Sequence, residues 1–213
     1  MAPTVILVRH AQGLHDPELT ELGRDQCRQV RDKLVPRIPK DFDVGLIIVS
    51  PMKRTIQTAL LMFGELIERG VPIMAHAGWQ ENGVQPCDIG SSIDELKAMF
   101  PQVDFSQVDP VFPDKSSPEA AFYHETKSAI INRGQTVLIE LRERPEKAVI
   151  VVSHSGFLRL GCTGHWFMNA DWRVFEFEEG EEVKLRQWEE TKAGGMGWSW
   201  EETVPLGHGL PEP

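Results

Sequence analysis

The run Thr4-Val-Ile-Leu-Val-Arg9-His10 is apolar until its last two residues, and Ala148-Val-Ile-Val-Val-Ser153-His154 repeats the pattern late in the chain. Val and Ile favour strands, and a strand that is apolar at successive positions is buried on both faces. Such strands belong to an α/β core, and open α/β sheets place ligands at the carboxyl ends of their strands. As parallel neighbours, the two runs set Arg9, His10 and His154 on one rim. A third run, Gly45-Leu-Ile-Ile-Val-Ser50, stops at Pro51 and is followed by a helical pattern that carries Lys53 and Arg54. Pro51 fits the first turn of that helix, which puts Arg54 beside free backbone N–H groups and the positive end of the helix dipole. Guanidinium groups donate two parallel hydrogen bonds and keep their charge, so Arg9 and Arg54 suit phosphate oxygens.

With 213 residues, 41% of them hydrophobic, and no internal repeat, the chain suits one globular domain over 1–213. A net charge of −10 argues against nucleic acid or an anionic membrane as the main partner, while leaving room for a local basic pocket. No apolar run has transmembrane length, and the amino terminus lacks a secretory pattern. Cys27, Cys87 and Cys162 are odd in number and have no framework spacing, which fits a reduced, cytoplasmic setting. The seven histidines and three cysteines show no metal-ligand spacing, so neither a metal nor another cofactor is expected.

Four motifs in order carry a resemblance: Leu7-Val8-Arg9-His10-Ala11-Gln12, Leu19-Thr20-Glu21-Leu22-Gly23-Arg24, Ser50-Pro51-Met52-Lys53-Arg54-Thr55-Ile56-Gln57-Thr58-Ala59 and Ser153-His154-Ser155-Gly156. On these the chain resembles the histidine phosphatase superfamily, in its phosphoglycerate-mutase-like branch. The resemblance implies a three-layer α/β sandwich with a mainly parallel central sheet flanked by helices. It implies that His10 is the phosphorylated nucleophile and that His154, Arg9 and Arg54 hold the transferring phosphoryl group. It also implies an acid after the strand at Val71–Ala75. Glu81 is the first choice and Asp88 the alternative, with Asp88 otherwise a substrate contact.

Relatives commonly follow the Arg-His pair with a small residue, an acid, a polar residue and an asparagine. Here the run is Ala11-Gln12-Gly13-Leu14-His15-Asp16. Gln12, Gly13, His15 and Ser155 are carried forward as phosphate or substrate contacts. The expected activity is a phosphomonoesterase acting on a small phosphorylated metabolite through phosphohistidine. A biosynthetic lyase or hydrolase reusing the pocket stays open because of the altered stretch. A mutase and an anion-binding pseudoenzyme rank lower, and a homodimer is left open.

Elsewhere, Thr20 caps a helix to about Leu34, and Ser117-Pro118-Glu119 opens a helical pattern reaching about Arg144. Ser91 and Ser92 cap a helix at 93–100. A cap insertion is expected at about 78–116, in which Phe105, Val111 and Phe112 either touch substrate or pin the loop. Two alternating runs at 172–177 and 183–188 predict a hairpin, and an irregular tail packed by its tryptophans is expected from about 193.

Overall fold

The computed structural model describes residues 1–13 and 18–212. Six strands form one sheet: β1 (Thr4–Arg9), β2 (Val44–Val49), β3 (Ile73–Ala75), β4 (Ala148–Ser153), β5 (Trp172–Phe177) and β6 (Leu185–Gln187), in the order β3-β2-β4-β1-β5-β6. β1 and β2 both run parallel to β4, and β3 is parallel to β2. β5 turns back antiparallel to β1, and β6 pairs antiparallel with β5 as the expected hairpin. The register aligns Arg9 with Ser153, so the two histidines leave neighbouring strands at the same level.

Successive side chains of a strand point to opposite faces, which divides the buried residues into two layers. Ile6, Val8, Ile47, Val49, Ile150 and Val152 face one way and pack with α1 (Glu21–Leu34) and α3 (Lys53–Glu68). Val5, Leu7, Leu46, Ile48, Val149 and Val151 face the other way, against α5 (Lys127–Arg142). The fold is a three-layer sandwich, helices on both faces of a mainly parallel sheet, as expected. Each such side chain removed from water contributes about 1.5–3 kcal/mol, and the cost of substituting one rises with the cavity it leaves.

The helices begin where side chains can satisfy their free N–H groups. Thr20 Oγ1 accepts from Gly23 N at 3.0 Å, as expected for α1, and a short helix, α2 (Ile38–Asp41), follows before β2. Pro51 lies one residue outside the cap of α3, not in its first turn, yet Arg54 is still the second helical residue. Ser92 and Glu95 exchange the bonds of a capping box that opens α4 (Ile93–Met99).

The long helix expected from Ser117 is broken. Pro118–Tyr123 form a 3₁₀ turn, His124 is extended, and Thr126 restarts the chain as the cap of α5 by accepting from Ala129 N at 3.3 Å. A threonine side chain that caps locally competes with continued helix, and the apolar spacing read across the break did not register it. After β4, α6 (Ser155–Phe157) opens into a π-helical turn at Leu158–Thr163. There Gly134 of α5 meets the backbone of Gly161 so closely that an added Cβ would lie 1.9 Å from its carbonyl oxygen.

Between β3 and α5 the chain crosses the rim. Phe105 and Phe112 are buried in the α1/α3 layer, so they pin this segment and do not line an opening. At the other end, Trp198 and Met196 pack against the core, and two buried charges hold the tail. Asp171 accepts from Trp172 N, Met196 N, Trp198 N and Ser199 Oγ. Arg173 donates to the carbonyls of Thr191, Lys192, Trp166 and Trp200. Trp200 stays 57% exposed, stacked on Trp166. Among the described residues, no helix is long and apolar enough to cross a membrane.

Candidate active site

The β1/β4 ladder continues one residue past its strands, with His10 N donating to Ser153 O at 2.9 Å. The next residue is locked as well, since Ala11 N donates to Thr58 Oγ1 of α3 at 3.0 Å. His10 Nδ1 lies 2.7 Å from the Ala11 carbonyl, and its own carbonyl accepts from Ala170 N and Asn169 Nδ2. Arg9 donates through Nη1 to Phe167 O at 2.8 Å. Burial pulls the Arg9 guanidinium below its ordinary range; Glu81 opposes this and Arg54 adds to it.

Arg54 is the hub. Only 6% exposed, it donates through Nε to His10 Nε2 at 3.3 Å and through Nη1 to Cys87 O at 2.6 Å. Its Nη2 lies 3.1 Å from His154 Nδ1 and 3.5 Å from Asp88 Oδ1. A guanidinium only donates, so both ring nitrogens facing it must accept. The remaining partners then assign the protons. His10 carries its proton on Nδ1, given to the Ala11 carbonyl, and His154 carries its proton on Nε2, given to Ser50 Oγ at 2.9 Å.

Both rings are therefore neutral, with centroids 5.0 Å apart. Burial holds each well below the usual histidine range, and Arg54 is the next cause for both; Arg9 adds to it at His10. A neutral imidazole with one nitrogen fixed by a carbonyl presents a lone pair at the other. Here that pair is on His10 Nε2, aimed at the guanidinium that an incoming anion would share.

Glu81 is seated on the first turn of α6, which follows His154. Its Oε1 accepts from Asn82 N and Phe157 N, each at 2.9 Å, and its Oε2 accepts from Gly156 N at 3.2 Å. The fit needs glycine at 156, because an added Cβ would sit 2.5 Å from Glu81 Oε1. Behind Glu81, the fully buried Arg133 donates to Asn82 Oδ1 at 2.8 Å and stacks 4.2 Å over the Phe157 ring.

The structure thus brings together Arg9, His10, Arg54, His154, Glu81 and Asp88. The Gln12 amide oxygen accepts from Thr20 Oγ1 at 2.9 Å and serves the cap of α1. The backbone of Gly13 pairs with Leu19, and an added Cβ would lie 3.5 Å from Arg54 Cβ. Ser155 Oγ donates to Phe167 O at 3.3 Å. The expectation for His15 lies outside the described residues. Cys162 is buried and its thiol is pushed up to about 12, as suits an inert helix residue. Among the described residues, no group of three or more His, Cys, Asp or Glu side chains is placed to hold a metal ion.

Sequence reasoning missed Ser50, Arg133 and Lys115. Arg133 left a signal, because it falls at helical spacing between Ile130 and Val137 on the apolar stripe of α5. Lys115, in a polar loop, left none.

With this geometry in place, similarity to known proteins decides the family. The model of the histidine phosphatase superfamily (branch 1) matches residues 5–193. The chain belongs to the histidine phosphatase superfamily. A phosphoglycerate mutase-like protein of Arabidopsis thaliana is 34% identical, over 73% of this chain and 72% of the relative. Phosphoserine phosphatase 1 of Hydrogenobacter thermophilus is 28% identical, over 85% of this chain and 90% of the relative. Among solved structures, a mycobacterial glucosyl-3-phosphoglycerate phosphatase shares the fold with a TM-score of 0.55 at 19% identity, covering 95% of this chain and all of that one. Histidine-phosphatase-type hydrolysis of a small phosphomonoester is the activity that membership supports. The match stops at the tail segment that Asp171 gathers.

Proposed function

We propose that the protein hydrolyses a phosphomonoester of a small metabolite through a phosphohistidine at His10. The observation that carries the reading is the hydrogen-bond chain Ala11 carbonyl, His10, Arg54, His154, Ser50, which leaves His10 Nε2 as a lone pair beside a fixed positive charge.

In the first step His10 Nε2 attacks phosphorus and the bond to the leaving oxygen breaks. Arg9 and Arg54 neutralise the charge spread over the equatorial oxygens, and His154 faces the same group. Glu81 gives a proton to the departing alkoxide, with Asp88 the neighbouring carboxyl on Arg54. In the second step water attacks the phosphohistidine, the P–N bond breaks, and Glu81 takes the proton from water. Hydrolysis is favoured over mutase action because retaining the phosphoryl group requires water to be excluded by a larger cap than the 100–115 segment.

The test is turnover in the presence of a chelator, using an aryl phosphate and a panel that includes phosphoserine and phosphorylated glyceric acids. Wild type is expected to turn over and to yield a phosphorylated His10 on rapid acid quench. His10→Ala is expected to do neither. A His10→Ala variant that keeps its rate, or a wild type inert on every ester, would overturn the proposal, and the second result would send the search to non-phosphorylated substrates.

A further inference from the structure

Lys115 is 2% exposed, and its ammonium spends all three N–H bonds on backbone carbonyls: Glu81 O at 2.8 Å, Gly83 O at 3.0 Å and Asp88 O at 2.6 Å. These carbonyls belong to the two carboxylic residues that can serve as proton donor and to the turn between them. We propose that Lys115 is the positioning residue for proton transfer to the leaving group, tying the Glu81 and Asp88 backbones into one rigid frame above His10 and His154. This inference rests on the phosphohistidine reading above.

Several observations converge. An ammonium with every proton committed to carbonyls has none left for a phosphate, so Lys115 acts through the residues it holds and does not touch substrate. Three carbonyl oxygens converging on one buried point repel each other, so the cation between them decides where the loop sits. Its own backbone is fixed from both sides. Phe112 is buried just before it, and Asp114 Oδ1 accepts from Ser116 N at 2.8 Å and Ser117 N at 3.2 Å just after it.

The rest of the loop is pinned by the machinery itself. Arg54 takes the Cys87 carbonyl and Arg133 takes Asn82 Oδ1, so Lys115 closes a frame whose other two corners are cations of the site. Burial pulls the Lys115 ammonium down to about 7; Arg133 adds to the fall, Glu81 and Asp88 oppose it, and Arg54 adds a little. A charge kept in such surroundings is costly, and an apolar side chain would be the cheaper filler if only packing were at stake. A lysine here therefore serves the geometry of the carbonyls it gathers.

The readout is the dependence of kcat/KM on the leaving group, because an aryl oxide departs without a proton whereas an alkoxide needs one. For Lys115→Met, kcat/KM on 4-nitrophenyl phosphate is expected to stay within about 3-fold of wild type. On an alkyl ester such as phosphoserine or glycerol phosphate it should fall by about 100-fold or more, the scale of general acid catalysis. Lys115→Arg keeps charge and donors but replaces a tetrahedral head by a planar one, and it is expected to show a smaller shift in the same sense. In a Glu81→Gln, Asp88→Asn background, Lys115→Met should cost little more, because the groups it positions are already gone.

Equal losses on aryl and alkyl esters would overturn the proposal and make Lys115 structural only, and so would no loss on either. Should Lys115→Met not fold, Lys115→Arg, alone and in the Glu81→Gln, Asp88→Asn background, decides by the same ratio. A His10→Ala variant that keeps its activity would instead remove the phosphohistidine reading, whatever the Lys115 variants do.

Discussion

Arg54→Gln is expected to move the acid limb of the pH profile, and the direction follows from the site. The Arg54 charge holds both His10 and His154 below their ordinary range, second only to burial. Glutamine keeps a donor and removes the charge, so both rings should take protons at higher pH. A protonated Nε2 has no lone pair, and kcat/KM should therefore begin to fall at a higher pH than in wild type. Arg54 Nε stands 3.3 Å from His10 Nε2. Coulomb's law at that separation gives about 5 kcal/mol at an effective dielectric of about 20 and about 1.3 kcal/mol at about 80. The guanidinium spreads its charge over three nitrogens, so the repulsion removed lies toward the lower figure, and its loss moves the acid limb up in pH. The height of the profile should fall as well, by about 10²–10³-fold, for loss of a donor to the transferring oxygens. Two assays read the effect: kcat/KM on an aryl phosphate against pH, and NMR titration of the two ring protons without substrate. A profile lowered in height with its acid limb unmoved, together with rings that titrate as in wild type, would refute the electrostatic account of Arg54.

Other consequences follow from the same contacts. Gly156→Ala should push Glu81 off its seat, since the new Cβ meets Oε1 at 2.5 Å. Losing charge-assisted N–H bonds costs about 1–3 kcal/mol, and Tm in a chain of this size falls by about 2–4 °C per kcal/mol. Calorimetry checks the shift, and an unchanged Tm with unchanged alkyl-ester turnover would count against the seat. Acid should destabilise the fold before most carboxylates titrate. Burial lowers His10, His154 and His165, the last to about 4 with Arg173 adding, so the unfolded chain takes up protons below the usual 6.5 while the folded chain does not. Stability should therefore fall as pH drops below that value, by at most about 1.4 kcal/mol per pH unit for each ring. Urea midpoints at neutral and mildly acid pH measure it, and His165→Phe should lessen the slope. Equal midpoints would sink this prediction.

The outline of the fold was legible because strands buried on both faces declare themselves in consecutive apolar residues. Arg9 and His10, and Ser153 and His154, stand where such runs end, so their meeting follows once the strands pair in parallel. Arg54 was legible for a similar reason, as a cation in the first turn after a strand stopped by Ser50-Pro51. The break at Thr126 was not legible, because apolar spacing continues across it and a single cap outweighs that spacing locally. The partner of Gln12 was not legible either, because adjacency to a nucleophile in sequence does not fix the direction of a side chain, and its amide oxygen answers Thr20.

The amino-acid sequence by itself determined the buried strands of an α/β core, the rim and the histidine pair, since these depend on periodicity and on residues next to one another. The tertiary structure alone decided which carboxylate lies over which backbone, and why Lys115 and Arg133 are buried. The physical reason is that a buried charge is stabilised by carbonyls and carboxylates converging from distant segments. Residues 81, 83 and 88 reach Lys115 only after the sheet, α5 and the crossing loop have packed.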